Sequence, residues 1–146
     1  MHAAELLCAW HGLPAWDEAA PVPFLAVLEP DMAGPPWTHV VTSAALTLQV
    51  ANLVAHVREE SVRASLQYAL RCQGISRVVV FAEGRGCPGT FTLLALSAKA
   101  HALAGALREL EASPPPVDVA YWDAAEGALV APGVQGWQGW RPGLSA

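Results

Sequence analysis

The chain has 146 residues, the size of one domain by the usual figure of roughly 150 residues per domain. Its residues are 53% hydrophobic and only 14% charged, against about 25% charged in an average soluble domain, so a disordered chain is excluded. The net charge of −5, with no Lys/Arg cluster, excludes a nucleic-acid surface, and three Cys are too few for a disulfide scaffold.

The first residues, MHAAELLCAWHGLPAW, lack a basic leading region, and Glu5 interrupts their apolar run, so they do not read as a signal peptide. No stretch holds the ~18 apolar residues of a membrane span. Cys8, Cys72 and Cys87 show no CxxC spacing. The expectation is a cytoplasmic protein with reduced thiols. Little charge and much apolar surface also predict self-association.

In chain order, residues 3–10 suit a short helix ended by Gly12 and Pro14. Phe24-Leu25-Ala26-Val27-Leu28 is an apolar run of strand length, as in a strand buried on both faces. Residues 29–36 carry three prolines and a glycine and read as a loop. Leu46-Thr47-Leu48-Gln49-Val50 is rich in β-formers and predicts a second strand. A helix is expected from Ser61 as N-cap, with Val62, Leu66, Ala69 and Leu70 on one stripe and Gly74 at its C-terminal cap.

Val78-Val79-Val80-Phe81 does not alternate and predicts a central strand of a parallel sheet. Residues 83–90 turn from it into a long helix. That helix has two apolar rows, one through Leu93, Leu96, Ala100, Leu103, Leu107 and Leu110, the other through Phe91, Leu94, Ala98 and Ala102. One row should face the sheet and the other a second surface, such as another subunit. Ser113 and three prolines stop the helix. Residues 117–122 form the last core strand, and 128–130 return as an edge strand after a turn at 123–127. A Gly/Trp-rich tail, residues 131–146, follows the core of about 24–130. Trp37 and Trp122 are expected in the core, and His56 and His101 on the surface. This order predicts a single α/β domain with a mainly parallel sheet flanked by helices. Ligands in such folds bind at the carboxyl ends of strands, which here means the loops 29–36 and 83–90.

Five segments, in order, carry a resemblance. They are the run from Ala26 to Pro36 around Glu29-Pro30-Asp31, Leu48-Gln49-Val50-Ala51-Asn52, Ser65-Leu66-Gln67-Tyr68-Ala69, the run from Val78 to Cys87, and Val119-Ala120-Tyr121-Trp122-Asp123 with the acidic turn to Gly127. Together they resemble the β-class carbonic anhydrases. That family has Cys-x-Asp-x-Arg after the first strand, then Arg-Asn-x-Ala-Asn, Ser-Leu-x-Tyr-Ala, a strand into Gly-His-x-x-Cys-Gly, and a late His-Gly-Trp-x-Tyr-Asp. The resemblance implies a β-carbonic-anhydrase-like fold, a dimer, and a zinc held by the first Cys, the Asp in some states, the His and the second Cys.

The departures fall on those positions. Glu29 stands at the first Cys, Asp31 matches the Asp, Ala33 replaces its Arg partner, and Glu83 stands at the His. The second Cys aligns with Gly86, or with Cys87 if one residue is inserted. Leu48-Gln49 replaces the Arg-Asn pair. Zinc sites that activate water use N and S ligands and keep one open position. Glu29, Asp31 and Glu83 offer hard oxygen, better suited to Mg²⁺, Ca²⁺ or Mn²⁺, with at most the Cys87 thiolate beside them. No metal or other cofactor is therefore expected. The expected function is a carbonic-anhydrase-like protein that does not hydrate CO₂ and keeps its fold for assembly or for binding an anion or small ligand. The alternative is an active carbonate dehydratase with an atypical zinc site.

The segment Gly84-Arg85-Gly86-Cys87-Pro88-Gly89-Thr90, between a strand and a helix, is an anion-binding candidate through its backbone N–H groups and Arg85. The competing reading is a tight turn, since no GxGxxG or Walker pattern is present. A small anion and a second copy of the chain are the expected partners, with neither nucleic acid nor membrane.

Overall fold

Phe24–Leu28 is buried on both faces along its whole length, which only an interior strand of a sheet covered on both sides permits. The structure, a computed structural model, describes residues 13, 14, 16 and 22–131. The elements in chain order are β1 (Phe24–Leu28), α1 (Trp37–Ser43), β2 (Leu46–Gln49), α2 (Leu53–His56), α3 (Glu60–Cys72), β3 (Arg77–Gly84), α4 (Thr90–Leu110), β4 (Val117–Asp123) and β5 (Ala128–Val130). One sheet orders them β2-β1-β3-β4-β5. The first four strands run parallel, and β5 pairs antiparallel with β4, Trp122 opposite Leu129. The mixed, mostly parallel sheet with flanking helices is that of a single α/β domain. The helix expected at residues 3–10 and the Gly/Trp-rich tail lie outside the described residues, apart from Ala131.

Alternation along the strands divides the core in two. Leu25, Val27, Val78, Val80 and Val119 face α2, α3 and α4, meeting Leu53, Leu66, Leu96, Leu103 and Leu107. Phe24, Ala26, Leu28, Val79, Phe81 and Ala120 face the other way, onto Trp16, Met32, Trp37 and Val40. On that side Trp16 packs edge-on to Phe81, with ring centroids 5.2 Å apart. The Trp16 N–H donates to Val119 O, and the Val119 N–H to Pro14 O, so Pro14 and Trp16 line the start of β4 on the edge where β5 pairs only with Tyr121 to Asp123.

Several boundaries differ from the expected ones. Helix α3 begins at Glu60 with Glu59 as N-cap, not at Ser61, and two acidic residues at a helix start suit its dipole. Its stripe is as expected: Val62, Leu66 and Ala69 are buried and Leu70 packs at the edge. Gly74, at φ +60°, takes the left-handed position just past the helix end. Strand β3 continues to Gly84, so the turn before α4 starts at Arg85 rather than Glu83. Helix α1 was not expected. Its Thr and Val residues are poor helix formers, but Trp37 and Val40, three apart, bury one face against the sheet, and that packing outweighs propensity.

Helix α4 has the 21-residue length of a membrane span and a mean hydropathy of 1.3 over its most apolar stretch. Its Leu93, Leu96, Ala100, Leu103 and Leu107 row is buried against the sheet and α2 and α3. The second row is largely uncovered: Phe91 is 89% exposed and Leu94 47%. Trp37 is buried as expected, and Trp122 is half-buried.

Candidate functional site

The strand order reverses at β1 and β3. The chain leaves β1 toward β2 on one side and leaves β3 toward β4 on the other. Such a switch point opens a crevice at the carboxyl ends of the two strands. Glu29 follows the last residue of β1, and Glu83 is the penultimate residue of β3, so both carboxylates stand at its rim. A cleft of about 240 Å³ lies there, lined by Glu29, Asp31, Met32, Ala82, Glu83, Thr92, Ala95, Leu96 and Lys99. Ligand pockets span about 300–1,000 Å³, so this cleft suits a small molecule.

Two contacts shape it. The Lys99 ammonium of α4 reaches over the sheet rim and forms an ion pair with Glu29 Oε1. The Lys99 side chain is 18% exposed and that of Glu29 28%, so this pair is shielded more than a surface pair. From the opposite face, Trp37 Nε1 donates to Glu83 Oε2 at 2.8 Å. The indole is held edge-on to Phe81, centroids 5.6 Å apart, which fixes the direction of its N–H. Asp31 and Ala33 are exposed in the loop after β1, where the Met32 N–H donates to Glu29 O at 3.1 Å. The structure therefore gathers Glu29, Asp31 and Glu83 around one cleft. Cys87 is not among its lining residues.

This donor set does not fit a zinc ion. One Glu29 oxygen holds an ammonium, one Glu83 oxygen holds an indole N–H, and no imidazole or thiolate joins them. Among the described residues, no three His, Cys, Asp or Glu side chains are grouped to hold a metal.

The second candidate, residues 84–90, is bound to its own chain. Gly86, at φ +84°, donates its N–H to Asp123 Oδ1 at 2.7 Å and accepts from the Tyr121 hydroxyl at 3.1 Å. Asp123 Oδ1 also accepts from the N–H groups of Ala125 (3.0 Å) and Glu126 (3.3 Å). One carboxylate thus ties the β3–α4 loop to the β4–β5 turn. The Gly86 N–H that an anion would use already holds a carboxylate. Gly89 caps α4 through its backbone and Thr90 begins the helix, with no side-chain cap bond, while Arg85 and Cys87 are exposed. Burial pushes the Tyr121 phenol up, and the charges of Asp123 and Cys87 add to it. Burial also works to raise Asp123. The N–H bonds from Gly86, Glu126 and Ala125 and the Arg85 charge outweigh it and hold this carboxyl below its ordinary value.

A depressed carboxyl contributes stability that is present above its unfolded pKa and lost as pH falls through the folded one. Asp123→Asn is therefore expected to lower stability at pH 7 and to weaken the acid-side loss, as urea titrations at pH 7 and pH 3 would show. An equal effect at both pH values would refute this. At the other end of the sheet, burial outweighs the Arg77 charge and raises Asp118. Arg77 Nε lies 2.7 Å from its Oδ2, without an aligned hydrogen bond to that oxygen.

No local pattern in the sequence points to the contacts that Lys99, Trp37, Tyr121 and Asp123 make. One signal was available for Lys99: it is the only lysine in the chain, set between Ala98 and Ala100 in an apolar helix. No family model, curated protein or solved structure matches this chain.

Proposed function

We propose that the chain is a β-carbonic-anhydrase-like domain that does not hydrate CO₂ and binds a small ligand in the switch-point cleft. The observation that carries this reading is the Lys99–Glu29 ion pair. Glu29 stands where the resemblance puts the first zinc-holding Cys, and here it holds an ammonium. Glu83, at the His position, accepts a hydrogen bond from Trp37. A carboxylate–ammonium pair supplies neither a Lewis acid nor a water of lowered pKa, which hydration needs. The charged residues lining the cleft are Glu29, Asp31 and Glu83 against Lys99 alone, and that excess of negative charge favours a cationic ligand over an anion. The exposed free thiols of Cys72 and Cys87 suit the reducing cytoplasm proposed for the protein.

The test is the metal content of the purified protein by elemental mass spectrometry, with stopped-flow CO₂ hydration on the same sample. The expected result is no zinc and no rate above buffer. Near-stoichiometric zinc with hydration would overturn the reading.

A homodimer is the proposed assembly, and the uncovered row of α4 favours it. Phe91, Leu94 and Ala98 lie three to four residues apart on one helix face. A phenyl ring 89% in water is a cost that association removes. Sedimentation velocity should show a concentration-dependent dimer, and Phe91→Asp a folded monomer at every concentration, whose melting temperature no longer rises with protein concentration. A wild-type protein that stays monomeric across the concentration range would refute it.

A further inference from the structure

We propose that Lys99 is the cleft's own cation: the switch-point cleft is a primary-ammonium site that the chain fills from α4. The inference rests on the cleft being the binding site, as proposed above, and names its ligand class. Lys99 is the only lysine beside seven arginines, and from Thr90 to Leu107 it is the only Lys, Arg, Asp or Glu in α4. Its side chain is 18% exposed, low for a residue type almost never buried without a partner. Ala95 and Leu96, four and three residues before it in α4, line the same cleft, and its nitrogen meets Glu29 at the carboxyl end of β1.

The preference for lysine over arginine follows from shape. A compact ammonium meets a single carboxylate oxygen as a point charge, as Lys99 does at Glu29 Oε1, whereas the planar guanidinium is broader and favours a forked partner. With Lys99 removed, the half-buried Glu29 carboxylate loses its counter-charge, in a cleft also lined by Asp31 and Glu83. An external ammonium would relieve that.

Truncation gives the experiment. Lys99→Ala deletes three carbons and the nitrogen, which together form n-propylammonium. Thermal unfolding of this variant is expected to shift upward, saturably, with n-propylammonium. Propan-1-ol and sodium chloride at equal concentration should give no saturable shift. Lys99→Arg and the Glu29→Gln/Lys99→Ala double variant should not respond to n-propylammonium. A folded Lys99→Ala protein that shows no saturable response overturns the proposal. So does a response of equal size in the double variant.

A second measurement needs no truncation. Because the chain has one ε-amine, trace reductive methylation followed by peptide mapping reads Lys99 alone. Labelling should be slower than in the unfolded chain, and about tenfold or more faster in Glu29→Gln than in wild type, the ratio of a protecting contact of ~1.4 kcal/mol. Labelling of native wild type at the unfolded rate overturns the proposal even if Lys99→Ala does not fold. Zinc and hydration in the wild type would refute the function reading. An unresponsive Lys99→Ala in a zinc-free protein refutes this inference alone.

Discussion

Phe81→Ala is expected to lower the unfolding free energy by about 3–5 kcal/mol, the range for emptying a buried aromatic position. Phe81 is buried in β3, between β1 and β4. Its ring is shared edge-on by Trp16 and Trp37, at centroid distances of 5.2 and 5.6 Å. Truncation leaves a cavity bounded by the buried Trp16 and Trp37 rings, planar groups that refill it poorly. Each lost ring pair adds about 0.5–1.5 kcal/mol beyond the area effect. The cleft is affected too, because Phe81 is the wall against which Trp37 aims its N–H at Glu83. Phe81→Leu keeps most of the volume and should cost much less. Urea unfolding followed by tryptophan fluorescence measures both variants. A loss under about 0.5 kcal/mol for Phe81→Ala, the level of an ordinary surface change, would show that this face of the sheet is not a packed core.

The same contacts explain what was legible in the chain. β1 and β3 announce themselves as unbroken apolar runs because both faces of a parallel strand are buried, and that is a local property. The β4–β5 return was legible for a similar reason, since a short acidic turn ending in Gly127, at φ +63°, separates two apolar stretches. Helix α1 was not. Thr38, Val41 and Thr42 argue against a helix, and only the sheet beneath Trp37 and Val40 decides for it. The loops that carry the candidate carboxylates are legible because they follow apolar strands, whereas Glu29, Asp31 and Glu83 stand out within them only through the resemblance. Their partners are not legible. Lys99 is 70 residues from Glu29, and Trp37 is 46 from Glu83. No periodicity or spacing encodes a pairing over that distance. The loop 84–90 shows the converse. Its backbone N–H groups beside Arg85 suggest an anion site, while the group that holds the Gly86 N–H is Asp123, 37 residues on.

Gly84→Ala is the second large effect. Gly84 ends β3 beside Asp123 of β4, and a methyl group there would overlap the Tyr121 hydroxyl oxygen and crowd its ring at 3.2 and 3.3 Å. A glycine inside a strand often marks such a close approach. Tyr121 is buried and donates to Gly86 O, so it cannot swing aside without losing that bond. Overpacking of this kind costs about 1–3 kcal/mol, and the lost hydrogen bond about 1 kcal/mol more. The cause is separable by a double-mutant cycle. Tyr121→Phe removes the oxygen that the methyl meets, so the alanine should cost less in the Tyr121→Phe background than in wild type. Additive losses would mean that the strand itself, and not the tyrosine, rejects the methyl. A positive coupling would place Tyr121 as the brace that presses the end of β3 against β4 and thereby sets where Glu83 stands at the mouth of the cleft.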